Sequence, residues 1–225
     1  MTSTALSDLL GGIGAPGGVE PARPVPLEQT DEYRDLRARI RSSKLKKAGL
    51  FGGYAEAESD VGALVLQRAE QGRGSYLWGP CGTGKTYAAA HAVRAYALSG
   101  RKAKLITAKA LLDGIKGGYD GGDTGVLERA ERYDLLALDD LGAERATDWA
   151  LETLTRLIDA RTSHGLPTVV TSNYRLGELR DLWGGVAGQR IASRIAGACD
   201  IAHLGGEDRR LERFGRGGGD APVSH

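Results

Sequence analysis

The chain has 225 residues, and its 30 Lys and Arg residues nearly balance 29 Asp and Glu residues, for a formal net charge of +1. This balance excludes nucleic-acid binding through bulk positive charge, so any basic surface must be local. Cys81 and Cys199 offer neither a disulfide framework nor metal-ligand spacing, which favours a reducing cytoplasm. The sequence contains neither a signal-peptide pattern nor a window approaching the roughly 18 apolar residues of a membrane span.

The two ends of the chain are rich in glycine. Residues 1–30 combine glycine and proline with little apolar surface, which predicts a disordered tail. Residues 213–225 predict a second flexible tail. Residues 31–49 begin with acidic and end with basic side chains, the distribution that a helix dipole favours. The arginines of this basic helix are either a nucleic-acid contact or a solvated face.

Apolar strands alternate with helices over the predicted main domain, residues 50–212. The alternation indicates a parallel sheet covered by helices on both faces, hence an α/β fold. Strands are predicted at Ser75–Trp78, Lys104–Thr107, Asp134–Leu138, Pro167–Thr171 and Asp200–Leu204. Helices are predicted at Ala55–Gln71, from Lys85 onward, and at Ala108–Ile115, Thr124–Arg132, Asp148–Thr162, Arg175–Leu182 and Gln189–Ala196, with a loop at Gly117–Gly122.

The stretch Gly79–Thr86 has the pattern G-x-x-x-x-G-K-T, follows a predicted strand and opens a predicted helix. In this context the pattern indicates a P-loop, whose backbone N–H groups and helix N-terminus bind phosphate. Lys85 is predicted to reach the outer phosphates and Thr86 to hold Mg²⁺. The predicted nucleotide-binding residues are Gly79, Pro80, Cys81, Gly82, Thr83, Gly84, Lys85, Thr86 and Tyr87.

Polar side chains follow two of the later strands, where the ligand crevice of a parallel sheet lies. Asp139 is placed to hold Mg²⁺ with Thr86, and Asp140 to orient or deprotonate an attacking water. Asn173, the only asparagine in the chain, is either a contact to the γ-phosphate and water or a helix N-cap. Because the N-K-x-D guanine motif needs another asparagine, the base is predicted to be adenine.

Two pairs of arginines near the end of the chain are further candidates. Arg190 and Arg194 lie one helical turn apart, so they form either a surface ion-pair stripe or an arginine finger that reaches a neighbouring subunit. Arg209 and Arg210 follow the last predicted strand and either contact phosphates of the same subunit or face solvent.

Taken together, these motifs resemble the AAA+ ATPases, and within them the DnaC/DnaI helicase loaders and the related IstB transposition helpers. The resemblance covers roughly residues 50–212, and the Asp-Asp-Leu-Gly form is its most specific part, because most AAA+ proteins carry Asp-Glu there. It rests on Gly79–Thr86, Leu138–Gly142, Thr171–Asn173, Ser193–Arg194 and Gly206–Arg210. About twenty residues follow Leu204, so the predicted AAA+ core has an abridged C-terminal lid.

The resemblance implies ATP hydrolysis at subunit boundaries, with Mg²⁺ and ATP as cofactors. Asn173 would then be sensor 1, Arg194 the finger in trans and Arg210 sensor 2. The resemblance also implies single-stranded DNA within an assembled spiral and a replicative helicase or a transposase as partner. In this clade an extra helix lines the DNA path, which makes Lys109, Lys116 and Tyr119 candidate DNA contacts.

The sequence therefore predicts a DnaC-like ATPase, slow and dependent on its oligomer or on DNA, that helps place a replicative helicase on single-stranded DNA. An IstB-like transposition helper, acting with a transposase on duplex DNA, is the alternative within the family. A small-molecule P-loop phosphotransferase, which would work as one subunit without Arg194, is the alternative from another class, and a non-hydrolysing ATP-dependent interaction module is a fourth reading.

Overall fold

The computed structural model describes residues 30–206, in which five strands alternate with helices. The strands are β1 (Gly74–Trp78), β2 (Ala103–Thr107), β3 (Leu135–Leu141), β4 (Thr168–Ser172) and β5 (Cys199–His203). The α-helices are α1 (Asp31–Lys47), α2 (Asp60–Glu70), α3 (Lys85–Leu98), α4 (Ala108–Tyr119), α5 (Val126–Arg132), α6 (Asp148–Ser163), α7 (Leu176–Trp183) and α8 (Gly185–Ala198), and a 3₁₀ helix covers Gly52–Glu56. The predicted tails, apart from Thr30, lie outside these residues, as does Arg210.

All five strands are parallel and form one sheet in the order β2-β3-β4-β1-β5. Side chains of successive strand residues alternate between two buried clusters, as a pleated strand requires. Leu136 and Leu138 face one cluster with α4, α6 and α8, whereas Leu135 and Ala137 face the other with α2 and α3. The predicted α/β fold with helices on both faces of a parallel sheet is therefore confirmed.

Four elements differ from the predicted ones by three or more residues, and one of them is α8, which begins at Gly185 and not at the predicted Gln189. The single helix predicted at Ala55–Gln71 is divided into the 3₁₀ helix and α2, because the Ser59 side chain accepts a hydrogen bond from the backbone N–H of Gly62 and begins a new helix there. Helix α4 continues to Tyr119, through part of the predicted loop. Strand β3 extends to Leu141 and so contains both Asp139 and Asp140.

Residues 30–39 and 40–206 fall into two compact units. Within the first unit, Arg34 pairs with Asp31 at 2.6 Å. Within the second, Leu45 and Leu50 are buried in the same cluster as α2 and α3. The domain boundaries at residues 30, 49 and 212 stay predictions.

The outer edge of β2 is covered by the segment that follows α1. The backbone N–H of Leu105 donates to the carbonyl of Ala48 at 2.8 Å, and Lys104 Nζ donates to the carbonyl of Lys47 at 3.0 Å. Gly49 has a φ of +81°, and a Cβ at this position would lie 2.3 Å from the carbonyl oxygen of Leu105. Glycine therefore lets the segment approach the strand closely enough to pair with it.

A buried arginine joins the ends of four elements. The Arg161 side chain on α6 is fully buried, and burial lowers its pKa to about 10. Its guanidinium donates to the carbonyls of Ala130, Tyr133 and Pro167 and to the Thr168 hydroxyl at 2.7–2.9 Å. Since these acceptors belong to α5, β4 and the segments before β3 and β4, Arg161 fixes one end of the sheet against the helices.

None of the helices between residues 30 and 206 has the length and apolar composition needed to cross a membrane.

Replacing Arg161 with Leu should lower the free energy of unfolding by about 3–5 kcal/mol, because two buried carbonyls, one partly buried carbonyl and a hydroxyl lose their donor. Arg156→Leu in the same helix is the matched control. Its side chain is 64% exposed and pairs with Glu131, so it should cost less than about 1 kcal/mol. Urea denaturation of both variants measures the difference, and equal effects would contradict the structural role of Arg161.

Candidate nucleotide-binding site

The carboxyl ends of β1, β4 and β3 lie side by side, because β4 separates β1 from β3 in the sheet. A cavity of about 870 Å³ opens at this edge, which is where parallel sheets bind ligands. The cavity is lined by Tyr54, Glu58, Cys81, Gly82, Gly84, Lys85, Thr86, Tyr87, Thr107, Asp139, Asp140, Thr171 and Asn173.

The predicted P-loop connects β1 to α3, and its residues Cys81, Gly82 and Gly84 line the cavity. Gly82 and Gly84 have φ values of +79° and +92°, which L side chains rarely adopt. Helix α3 begins at Lys85, so its N-terminus lies at the cavity. Of the residues that the sequence assigns to phosphate binding, six line the cavity, at a helix N-terminus that favours an anion: Cys81, Gly82, Gly84, Lys85, Thr86 and Tyr87.

The Lys85 ammonium group is held inside this loop. Its side chain is buried, and Nζ donates to the carbonyls of Gly79 at 2.8 Å and Pro80 at 2.7 Å. The Thr83 hydroxyl also donates to the Pro80 carbonyl, at 3.0 Å. The loop thus surrounds the positive charge that the sequence predicts to face the phosphates.

Asp139 connects the P-loop to β3 and β4. Its Oδ1 accepts hydrogen bonds from the Thr86 hydroxyl at 2.9 Å and from the Thr171 hydroxyl at 2.6 Å. A hydroxyl and a carboxylate this close fit Mg²⁺, which prefers oxygen ligands and is often held by one or two carboxylates together with phosphates. Within residues 30–206, no cluster of three or more His, Cys, Asp or Glu side chains offers a metal site made by protein alone.

Asp140 and Asn173 face each other at the mouth of the cavity. Asn173 Nδ2 donates to Asp140 Oδ1 at 3.3 Å, and the Cys81 thiol donates to Asn173 Oδ1 at 3.6 Å. Both Asp140 and Asn173 are exposed to the cavity. The N-cap position of α7 is occupied by Arg175, so Asn173 is not the cap of that helix.

The sequence analysis assigned no role to Thr171, although this residue bonds the carboxylate of Asp139 and the backbone of Asp140. The register between β3 and β4 shifts between Leu138 and Leu141, so one extra residue of β3 bulges opposite Thr171. The Thr171 hydroxyl accepts from the backbone N–H of Asp140 at 2.9 Å while it donates to Asp139. Asp140 itself has a φ of +55°, a conformation that costs on the order of 1–3 kcal/mol outside glycine.

Gly142 is packed beneath the segment that follows β4. Its φ is +99°, and a Cβ would lie 2.6 Å from Leu179 Cδ1 and 3.0 Å from Tyr174 Cδ2. Its N–H donates to the Glu144 carboxylate at 2.9 Å, and burial raises the pKa of Glu144 above its ordinary value. The glycine of the Asp-Asp-Leu-Gly stretch therefore serves loop packing and does not line the cavity.

The two arginines of α8 do not line the cavity. Arg190 and Arg194 lie on a separate surface depression together with Val186. Arg194 Nε pairs with the Asp159 carboxylate at 3.1 Å, whereas Arg190 makes no ion pair within the described part of the chain. The structure therefore does not bring either arginine to the P-loop of its own subunit.

Tyr54 and Glu58 belong to the cavity but were missed by the sequence analysis. They lie at and just after the 3₁₀ helix, upstream of every motif. The Tyr54 ring contacts that of Tyr87, with centroids 6.5 Å apart. No spacing pattern links a tyrosine at 54 to the P-loop, so only the folded chain reveals the pair.

Another ring contact fixes the residue before the P-loop. Trp78 stacks on the His203 ring with centroids 4.1 Å apart, and the Arg175 guanidinium lies 4.7 Å from the Trp78 ring centroid. Trp78, Arg175 and His203 stand at the ends of β1, the β4–α7 connection and β5. The stack thus holds three neighbouring strand ends together, by about 0.5–2 kcal/mol per cation–π contact.

The parallel sheet and the P-loop at the carboxyl end of β1 define a P-loop protein with an α/β fold. The family model described as IstB-like ATP binding protein matches residues 62–215, more than half of the chain, and the chain belongs to this family.

Two curated proteins show what the chain is similar to. The replicative helicase loader DnaC of Escherichia coli strain K12 is 25% identical over 175 residues, which cover 76% of this chain and 64% of DnaC. The replicative helicase loader DnaI of Bacillus subtilis strain 168 is 28% identical over 150 residues, which cover 62% of this chain and 48% of DnaI. The chain thus spans less than two thirds of the length of these relatives.

Among solved structures, a crystal structure of DnaI aligns with a TM-score of 0.60 and 22% sequence identity, over 76% of this chain and 100% of that chain. This likeness supports the fold.

Thr171→Val should weaken Mg²⁺ binding to the nucleotide-bound protein about tenfold, because a side chain that orients a metal-binding carboxylate typically contributes that much. Titrating Mg²⁺ against the protein with bound ATP measures the apparent dissociation constant. Thr155→Val on α6 is the control, since its hydroxyl donates only to the Leu151 carbonyl. Unchanged Mg²⁺ affinity in Thr171→Val would contradict the positioning role.

Proposed function

We propose that the chain hydrolyses ATP in this cavity. The observation that supports this most directly is the pair formed by Asp140 and Asn173 beside the P-loop. Their side chains are 3.3 Å apart and line the same cavity as Lys85 and the Thr86–Asp139 pair. An acceptor for a proton and an amide that can orient water therefore lie next to the cradle for the transferred phosphate.

In the proposed reaction, a water oxygen attacks the γ-phosphorus, the bond from that phosphorus to the β–γ bridging oxygen breaks, and ADP and phosphate leave. The Asp140 carboxylate accepts the proton of the water, and the Asn173 amide holds the water and a γ-phosphate oxygen. Lys85 and the N–H groups at the start of α3 stabilise the negative charge on the phosphate oxygens. Bound Mg²⁺, held by Thr86 and Asp139, would neutralise charge on the β- and γ-phosphates.

We further propose that an arginine of α8 completes the site of a neighbouring subunit. Both candidates lie outside the cavity of their own subunit and are exposed to solvent. Arg194, the first candidate, would have to leave Asp159 to reach a partner, whereas Arg190 would not. Self-association would then be required for hydrolysis, which fits an ATPase whose turnover depends on assembly.

The proposed biological role is that of a DnaC-like protein that helps load a replicative helicase onto single-stranded DNA in the cytoplasm. The similarity to DnaC and DnaI supports this role. The second candidate is an IstB-like transposition helper that acts with a transposase, and the matching family model supports it. The chain spans only part of the length of its curated relatives. An experiment therefore has to distinguish a helicase from a transposase as its partner.

Arg194→Ala should retain ATP binding but lower hydrolysis by about a thousandfold, the usual contribution of an arginine finger. Mixing this variant with Asp140→Asn should restore part of the activity. At some subunit boundaries, Arg194 of an Asp140→Asn subunit then meets Asp140 of an Arg194→Ala subunit. Phosphate release by each variant and by the mixture measures the effect.

Arg190→Ala is the matched control in that experiment, because it lies one turn away on the same helix. A loss of hydrolysis in Arg190→Ala alone would make Arg190 the finger. Normal hydrolysis in both variants would refute the shared site.

Pull-down of the chain from native cell extract with ATP present should recover a replicative helicase. The Lys85→Ala variant should recover much less, because it lacks the charge that faces the outer phosphates and so binds ATP poorly. Mass spectrometry of the recovered proteins measures both. Recovery of a transposase in place of the helicase would support the IstB-like role and reject the loader role.

A further inference from the structure

A tight turn begins at Asp140. The backbone N–H of Ala143 donates to the Asp140 carbonyl at 3.2 Å and closes a turn of residues 140–143. Asp140 and Gly142, with φ values of +55° and +99°, both have left-handed backbones in this turn. The direction of the Asp140 carboxylate therefore depends on whether the turn keeps this shape, which is strained at Asp140.

Glu144 supplies a hydrogen-bond acceptor to the turn. Its Oε2 atom accepts from the backbone N–H of Gly142 at 2.9 Å. Burial raises the pKa of Glu144 above its ordinary value, and the charge of Asp140 adds to this effect, whereas the N–H groups of Glu144 and Gly142 oppose it. The carboxylate is thus removed from water near another carboxylate, which is unfavourable unless hydrogen bonds compensate.

Trp183 of helix α7 lies beside the same carboxylate. Its indole also lowers the pKa of Glu144, against the larger effect of burial. Within residues 30–206, neither Glu144 Oε1 nor Trp183 Nε1 completes a hydrogen bond, although both atoms are buried. Trp183 packs against α8 at Gly188, where a Cβ would lie 3.1 Å from Trp183 Cβ. The indole therefore encloses the carboxylate from the side of the core, and the hydrogen bond of the carboxylate is directed to the turn.

Packing alone does not require a carboxylate at position 144. An apolar side chain would fill the space without burying a charge, and such replacements of buried ionic groups are often neutral or stabilising. What an oxygen supplies here is an acceptor for the Gly142 N–H, in the turn that begins at Asp140. Glu144 itself does not line the cavity, so its effect on a ligand there has to pass through the turn.

We propose that Glu144 is a positioning residue of the nucleotide site, which holds the turn of residues 140–143 and thereby keeps the Asp140 carboxylate beside Asn173. The proposal rests on the proposed function in that Asp140 accepts the proton of the attacking water. Because Glu144 acts on Asp140 and not on the residues of the P-loop, its loss lowers the rate of hydrolysis and leaves ATP binding unchanged.

The kinetic test measures phosphate release by the full chain over a range of ATP concentrations. Glu144→Ala should lower kcat by about 10–100-fold and leave KM within about threefold, because a catalytic group displaced by about 1 Å has an effect of this size. Glu144→Leu keeps apolar volume in the buried position, so it guards against misfolding of the alanine variant and should show the same loss. Glu144→Gln retains an oxygen that can accept from Gly142, so its kcat should stay within about threefold of the wild type.

Asp134→Ala is the matched control. The Asp134 carboxylate also accepts from a backbone N–H, that of Lys102 at 2.7 Å. It precedes β3, at the end of the strand away from the cavity. This variant should keep kcat within about twofold of the wild type, as expected of a substitution outside the site.

The Asp140→Asn background separates positioning from general destabilisation. If Glu144 acts through the Asp140 carboxylate, Glu144→Ala should add less than about threefold to the loss that Asp140→Asn causes. Multiplication of the two losses would overturn the proposal. So would a wild-type kcat in both Glu144→Ala and Glu144→Leu.

Hydrogen exchange of the Gly142 amide tests the turn without hydrolysis. This amide should exchange about tenfold faster in Glu144→Ala than in the wild type, because it loses a charge-assisted hydrogen bond, and Asp134→Ala should leave it unchanged. Equal exchange in Glu144→Ala and the wild type would overturn the proposal. A chain without ATP hydrolysis would refute the proposed function, whereas the exchange of Gly142 would still decide whether Glu144 holds the turn.

Discussion

The buried carboxylate of Asp139 is the group on which the geometry of the site depends. A charge removed from water is costly unless it is paired or hydrogen-bonded, and Asp139 finds its partners in the hydroxyls of Thr86 and Thr171. One of these belongs to the helix after the P-loop and the other to β4. The requirement to satisfy one carboxylate therefore fixes the phosphate cradle relative to the middle of the sheet.

The strand order then determines what lies next to the phosphates. Because β4 lies between β1 and β3, the residue after β4 stands between the P-loop and the two aspartates. This is Asn173, which contacts both Cys81 and Asp140. The bulge in β3 brings Asp140 out of the regular ladder, at the cost of a left-handed backbone that Thr171 supports through a hydrogen bond.

The elements that could be predicted from the sequence are those whose signals are local. The P-loop, the apolar strands and the alternation with helices depend on neighbouring residues, and the sheet and the positions of Lys85, Thr86 and Asp139 follow from them. Helix α4 was predicted too short, because Gly117 and Gly118 read as a loop. In the folded chain, a Cβ at Gly118 would lie 2.9 Å from the carbonyl oxygen of Asp123, so this glycine serves close packing within a helix.

Other features depend on contacts between residues far apart in the chain. In the sequence, Arg161 is one of several charged residues of an amphipathic helix. The structure shows that it is buried and donates hydrogen bonds to three carbonyls. In the sequence, Thr171 is an ordinary strand residue. Its role is evident only in the structure, where the bulge in β3 lies opposite it. Tyr54 lies in the cavity because of the turn Gly52–Glu56, which is well before the P-loop in sequence. The roles of these side chains depend on residues that are close in the structure but distant in the sequence, so no spacing rule predicts them.

The segment that covers the edge of β2 limits how far this protein can be truncated from its N-terminal side. The carbonyl of Ala48 satisfies an edge N–H of the sheet, and Leu45 and Leu50 fill the cluster beneath it. A chain begun at residue 51 would keep every motif of the nucleotide site and yet present an unpaired strand edge beside uncovered apolar surface. Such a fragment would be prone to precipitate through edge-to-edge pairing of strands. The smallest soluble nucleotide-binding fragment therefore has to retain the second half of the basic helix.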